Sequence, residues 1–298
     1  MASADPEAQV KACYSTWADT YHADYFGPQA AYPPVHRDLV VRLVRESGAR
    51  SLLDAGCGPA TFLREFAGSG MDLYGFDLTP EMVAEARRVL GERGVEPNHV
   101  WQGSVTDPAS YRAAGDKVVD AAICIGVLPH VPQEADPVVI ANLRERVRPG
   151  GLVVVEARNQ LFALFTLNRY SYDLFAKDLI GEAQSGRPPD AGALRDALAE
   201  LQTHFRMDLP PIRKGKEGEP GYDEVLSRSH NPLMLSRAFV RAGFTNVRTL
   251  FYHFHCLPPM LQSRFPEFFR AESLAREDPE DWRGYFMASA FLIAGERA

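Results

Sequence analysis

From about residue 36 to residue 157, apolar runs alternate with amphipathic stretches, the pattern of a parallel sheet covered on both faces. The strand candidates are 51–54, 72–77, 99–103, 118–125 and 152–157. Between them, "DLTPEMVAEARRVL" offers Thr79 as N-cap, Pro80 at the first helical position and Glu81 in the first turn. "ADPVVIANLRERV" uses Asp136 and Pro137 in the same way, with Ile140, Leu143 and Val147 on one face. "RPGG" at 148–151 reads as a turn and "LVVVEA" as a fully buried strand. Ahead of this block, residues 7–26 set Val10, Tyr14, Trp17, Tyr21 and Tyr25 at helical spacing, a stripe that packing alone would explain. After it the alternation stops. Residues 158–231 form an insertion with its own helix through Ala191, Leu194, Leu198, Leu201 and Phe205, and a loop, "IRKGKEGEPGYDE". A helix at 232–242 closed by Gly243, a strand at 244–255 and a last strand at 285–296 complete the pattern.

Composition narrows the function classes. The 298 residues are 46% hydrophobic and 24% charged, ordinary globular values, with a formal net charge of −7 and a pI near 5.7. That balance argues against a nucleic-acid partner. The N-terminus has neither a basic n-region nor an apolar h-region, and Cys13, Cys57, Cys124 and Cys256 form no C-x-x-C pair, so the expected setting is cytoplasmic with reduced thiols. The most apolar stretch, 161–180, carries Arg169, Asp173, Lys177 and Asp178, too many charges for a membrane span. A homo-oligomer is compatible with the sequence.

The candidate chemistry sits where the strands end, since open α/β sheets bind ligands at the carboxyl ends of their strands. "LLDAGCGPATFL" (52–63) reads as a strand ending at Asp54, a turn through Gly56, Cys57 and Gly58, and a helix over 61–67 whose first N–H groups would face a ligand. A dinucleotide would want a third glycine where Thr61 stands. Asp77 ends the second strand, where a carboxylate could hold both ribose hydroxyls or prepare the N-cap before Thr79. Asp107 in "GSVTD" could accept from an adenine amino group or start a turn.

At this point the chain resembles the class I S-adenosylmethionine-dependent methyltransferases, on "LLDAGCGPATFL", the acidic end of "LYGFD", "GSVTD", "DAAICIGVLPHV" and "RVRPGGLVVVEA" in that order and spacing. "CYSTWADTYHADYF" is similar to the N-terminal helix that covers the cofactor in the small-molecule members, and "AGFTNVRTLFYHFH" with the late "AFLIAG" to their last two strands. The resemblance implies a Rossmann-like, seven-stranded, mostly parallel sheet with an antiparallel last strand. One α/β domain (36–298) would lie under an N-terminal helical lid (1–35), with 158–231 as substrate cap. It implies S-adenosylmethionine as cofactor, with Asp54, Gly56, Cys57 and Gly58 at its methionine end and Asp77 and Leu78 at the ribose. Ser104, Val105 and Asp107 would face the adenine, and Tyr14, Trp17, Tyr21, Ile125, Gly126 and His130 would line the remainder. Ala60 departs from the family, which commonly has a third glycine there.

Methyl transfer to a hydroxyl or a protonated amine needs a proton acceptor, and histidine is the usual one. His130, His230, His253 and His255 are the candidates, with Glu156 as a carboxylate alternative. His253, His255 and Cys256 also invite a zinc reading, but one H-x-H is thin and no metal is expected. Arg158, Asn159, Arg169 and Tyr170 are the expected substrate contacts, Arg169 serving equally well as packing. The expected activity is methyl transfer to an oxygen or nitrogen of a small metabolite. The alternatives are an intramolecular cyclisation releasing methylthioadenosine, a non-catalytic binding relative and a dinucleotide oxidoreductase.

Overall fold

Leu52 and Leu53 are fully buried because the strand that carries them, β1 (Ser51–Ala55), has parallel neighbours on both sides. Leu53 lies between Tyr74 of β2 (Asp72–Asp77) and Ala122 of a later strand, so both faces and both edges of β1 are inside. The computed structural model describes residues 5–18, 20–26, 33–112, 118–180, 191–209 and 225–298. The remaining strands are β3 (Val100–Gln102), β4 (Val119–Cys124), β5 (Val147–Arg158), β6 (Phe244–Phe254) and β7 (Ala288–Arg297). They form one sheet in the order β3-β2-β1-β4-β5-β7-β6, mostly parallel with an antiparallel end, as expected. The order reverses between β1 and β4, so the crevice for a ligand opens at their carboxyl ends.

The helices are α1 (Pro6–Ser15), α2 (Tyr21–Phe26), α3 (Val35–Glu46), α4 (Pro80–Gly91), α5 (Asp136–Arg146), α6 (Ala163–Thr166), α7 (Arg169–Asp173), α8 (Ala191–Gln202), α9 (Pro232–Arg241), α10 (Pro266–Leu274) and α11 (Gly284–Met287). The expected single N-terminal helix is two, α1 and α2. The loop expected at 212–224 lies outside the described residues.

Three local expectations are corrected. Residues 61–67 form only a 3₁₀ turn at Leu63–Glu65, because the segment is confined between Ala60 at φ +60° and Gly68 at φ +83°. The Arg64 guanidinium there donates to the carbonyls of Pro59 and Ala60, which also draws the chain off a regular helix. Asp136 is the first residue of α5 instead of its cap. Arg148 to Gly151 do not end the sheet pairing: Val147 pairs with Val119 and Leu152 with Ala121, leaving the four as a bulge inside β5.

The chain divides into two compact units. The first, Met1–Arg158, Ile212–Leu250 and Phe291–Ala298, contains β1 to β5 and α1 to α5. The second, Asn159–Pro211 and Phe251–Ala290, contains α6, α7, α8, α10 and α11. Within it Asn168 caps α7 in a reciprocal box with Ser171, and Phe162 and Phe269 flank His255.

Candidate active site

The turn after β1 is tied to β2 by its own backbone. The N–H groups of Gly56 and Cys57 both donate to the Phe76 carbonyl (2.8 and 2.9 Å), Gly58 N–H donates to Asp77 Oδ2 (2.9 Å) and Ala60 N–H to Cys57 O (3.0 Å). The free donors expected at a helix start are therefore already paired, and the turn offers a ligand close approach instead. Gly56 at φ +85° and Gly58 at φ +51° need glycine's freedom, and a Cβ on Gly56 would lie 2.3 Å from Val127 Cγ2. Ala60, in place of the family's third glycine, holds a left-handed φ of +60°.

Two carboxylates end the strands beside this turn. Asp54 is 1% exposed, and neither of its oxygens has a hydrogen-bond partner. Burial first, and the charge of Asp77 second, push its pKa well up. A buried acceptor pair of this kind calls for a cationic or donor-rich ligand group. Asp77 receives Gly58 N–H on one oxygen and Thr79 N–H on the other (2.9 Å each), which offsets part of the upward push of burial. It thus prepares the start of α4. Leu78 lies beside it, half-buried.

On the next strand end, Val105 is buried and Asp107 exposed, its Oδ1 accepting from Ala109 N–H. Ser104 Oγ and Thr106 Oγ1 donate to the Glu7 carboxylate of α1 at 2.6 and 2.9 Å, a latch that the sequence does not advertise. Trp17 (4% exposed) packs on Met82 of α4 with Tyr14 and Tyr21 around it. His22 in α2 approaches Thr61 Oγ1 at 3.4 Å, and Phe26 meets Phe62 edge to face, so the N-terminal helices seat on the glycine turn.

His130 lies in the turn after β4, 7% exposed. Its Nδ1 is 2.7 Å from the Leu226 carbonyl and its Nε2 2.9 Å from Tyr14 Oη. A carbonyl only accepts, so Nδ1 carries the proton. Burial, chiefly, lowers the pKa to about 4, so the ring is neutral and Nε2 accepts from the phenol. Tyr14 and Tyr21 are themselves pushed up, mainly by burial, and Tyr21 further by Glu156. A Cβ on Gly126 would come within 3.8 Å of the Tyr21 hydroxyl and 3.9 Å of Glu156 Oε2, which sets Gly126, Tyr21 and Glu156 around one space, with buried Ile125 adjoining.

The other candidates make the following contacts. His230 Nε2 lies 3.3 Å from Asp136 Oδ2, and the other oxygen of that carboxylate pairs with Arg228. His253, at a left-handed φ of +56°, and His255 belong to the second unit, where burial lowers the His255 pKa to about 4. Asn159, expected to touch substrate, is 4% exposed and donates to the carbonyls of Gly284, Tyr285 and Ala288, holding α11 against its own loop. Arg169 lies over Tyr170 at 5.1 Å, and Arg158 donates to Ser227 Oγ. Among the described residues no three His, Cys, Asp or Glu side chains converge as a metal site, and no helix is long and apolar enough to cross a membrane.

A family model described as "Methyltransferase domain" matches residues 52–151, the span from the glycine turn to the bulge in β5. The ubiquinone biosynthesis O-methyltransferase of Xylella fastidiosa (strain M23) is 33% identical over 199 residues, covering 64% of this chain and 78% of its own. This chain belongs to the class I S-adenosylmethionine-dependent methyltransferases. The namesake enzyme of Xanthomonas campestris pv. campestris (strain B100) is 34% identical over the same length, covering 64% and 80%. In fold, the methyltransferase is similar to magnesium protoporphyrin IX methyltransferase from Synechocystis PCC 6803 solved with bound S-adenosylmethionine (TM-score 0.54, 14% identity, all of both chains). Two features of the methyltransferase suit that cofactor: donor-less Asp54 matches an ammonium group, and Gly58 has open space where a side chain would stand, with nothing within 4 Å.

Proposed function

We propose that this methyltransferase moves the methyl group of S-adenosylmethionine to a hydroxyl of a small biosynthetic metabolite. The observation that carries the reading is Asp54, a fully buried carboxylate without a donor beside a turn that only glycine fits. When bound, the cofactor supplies a methyl group activated on a sulfonium. Asp54 receives its amino group, the Gly56–Gly58 backbone lets the methionine end close in, and Asp77 takes the ribose hydroxyls. Ser104, Val105 and Asp107 face the adenine, and Tyr14, Trp17 and Tyr21 close over the site. Holding two reactants in line contributes roughly 7–11 kcal/mol, so these contacts supply much of the rate. His130 takes the acceptor's proton, a role worth about 10²–10⁴-fold. Oxygen is favoured as the attacked atom because the similar Xylella and Xanthomonas enzymes are named O-methyltransferases. The net charge of −7 favours a small acceptor over nucleic acid.

Calorimetry with S-adenosylhomocysteine tests the cofactor site, and absence of binding defeats the reading. A panel of catechols, hydroxybenzoates, aliphatic alcohols and primary amines with radiolabelled cofactor then tests the acceptor. The product separates methyl transfer, which leaves S-adenosylhomocysteine, from cyclisation, which leaves methylthioadenosine.

A further inference from the structure

The segment Val225–His230 returns to the first unit and lies across the turn that bears His130. Four of its contacts converge there. Leu226 O accepts from His130 Nδ1 (2.7 Å), Arg228 N–H donates to Pro129 O (2.8 Å), Arg228 Nε donates to Val131 O (2.6 Å), and an Arg228 terminal nitrogen donates to Asp136 Oδ1 (2.5 Å). Arg228 thus brackets His130 through the carbonyls on either side of it and anchors the bracket to the start of α5.

We infer that this strap is a positioning element, with Arg228 its anchor: it fixes the proton of His130 on Nδ1 and so aims the Nε2 lone pair at Tyr14, which becomes the outer member of a two-residue proton relay. The inference rests on His130 as proton acceptor. A free imidazole exchanges its two tautomers, and only the hydrogen bond at the other nitrogen decides which one is basic. Here the carbonyl at Leu226 makes that choice. The groups facing the ring include Tyr14 at Nε2, Leu226 O at Nδ1 and, at longer range, the Arg158 guanidinium, which opposes protonation.

The proton balance is complete without a further reactant. As the acceptor oxygen forms its bond to the methyl carbon and the carbon–sulfur bond breaks, the acceptor proton passes to Tyr14 Oη while the phenol's own proton passes to Nε2. The site holds one positive charge before transfer, on the cofactor, and one after, on the imidazolium. Because Tyr14 belongs to α1, the relay is complete only while that helix is seated, and the Glu7 latch to Ser104 and Thr106 seats it.

Nitrogen-15 imidazole spectra of the full chain, free and with S-adenosylhomocysteine, read the arrangement without any acceptor. The parent is expected to show His130 protonated on Nδ1, with Nε2 a hydrogen-bond acceptor. Tyr14→Phe shifts the Nε2 resonance downfield while Nδ1 stays protonated. Arg228→Gln moves the proton toward Nε2, and Arg228→Lys, which keeps the Asp136 pair, restores the parent tautomer at least in part. A parent protonated on Nε2, an unmoved Nε2 signal in Tyr14→Phe, or an unchanged tautomer in Arg228→Gln overturns the inference. Failure of S-adenosylhomocysteine to bind would instead strike the cofactor reading, since the spectra of the free chain stand alone. With a hydroxyl acceptor from the panel, Tyr14→Phe lowers kcat by about 10²-fold or more, well beyond any change in the KM for S-adenosylmethionine.

Discussion

Replacing Asp54 by asparagine should move stability and affinity in opposite directions. The carboxylate is 1% exposed with both oxygens unpartnered, and burial together with Asp77 raises its pKa. A buried polar group left without a partner costs about 1–3 kcal/mol, more when charged. Asparagine is nearly isosteric and removes the charge but leaves its own amide unpaired, so the ligand-free variant should gain only about 1 kcal/mol, or roughly 2–4 °C in Tm. A group whose folded pKa lies above its unfolded value gives stability that is full below the unfolded pKa and is lost as pH rises through the folded one. The advantage of Asp54→Asn should accordingly grow with pH. The cofactor loses a charged hydrogen bond worth about 1.5–3 kcal/mol, so its Kd should rise about 10- to 150-fold. Scanning calorimetry across pH, paired with isothermal titration of S-adenosylhomocysteine, measures both. A variant that melts earlier than the parent without ligand, or binds the ligand equally well, would refute the account of Asp54 as an acceptor held ready for an ammonium group.

Four further outcomes are expected. Gly56→Ala forces a β-carbon into a left-handed φ and against Val127 at 2.3 Å, and should cost about 2–4 kcal/mol in urea unfolding. His130, whose folded pKa of about 4 lies below its ordinary 6.5, contributes stability that is present above pH 6.5 and lost by pH 4. His130→Asn should therefore flatten about 3 kcal/mol of that acid slope; because His22 and His255 also titrate near 4, the comparison with the parent isolates it. Asn159→Ala strands three carbonyls and should destabilise by about 2–3 kcal/mol, read as an earlier loss of amide protection in α11. Glu7→Gln weakens the α1 latch, and stopped-flow fluorescence of Trp17 should show faster S-adenosylhomocysteine release; an unchanged rate would count against the latch.

The strands were legible because their buried residues form apolar runs, and Asp54 and Asp77 stand near the strand ends, where the sequence placed them. What sequence periodicity could not convey was competition for backbone groups. The short stretch after Gly58 looks helical by composition, yet Ala60 and Gly68 in left-handed conformations and the Arg64 guanidinium leave it one 3₁₀ turn. Asn159, expected as a substrate contact, donates its amide to the carbonyls at a helix end more than a hundred residues on, which no local pattern announces. Arg228 carries no motif; only the fold brings it to the carbonyls beside His130. Of the four candidate histidines, His130 has hydrogen bonds at both ring nitrogens, partners that no motif announces.

The strap at Val225–His230 sets a boundary for anyone wishing to retarget this catalyst. A segment transplanted from a related enzyme in place of the insertion should be spliced upstream of Val225, leaving Leu226 and Arg228 native. A graft carried through to Asn231 would set a foreign carbonyl against His130 Nδ1 and remove the Arg228 bracket, so the imidazole would lose the partner that fixes its tautomer.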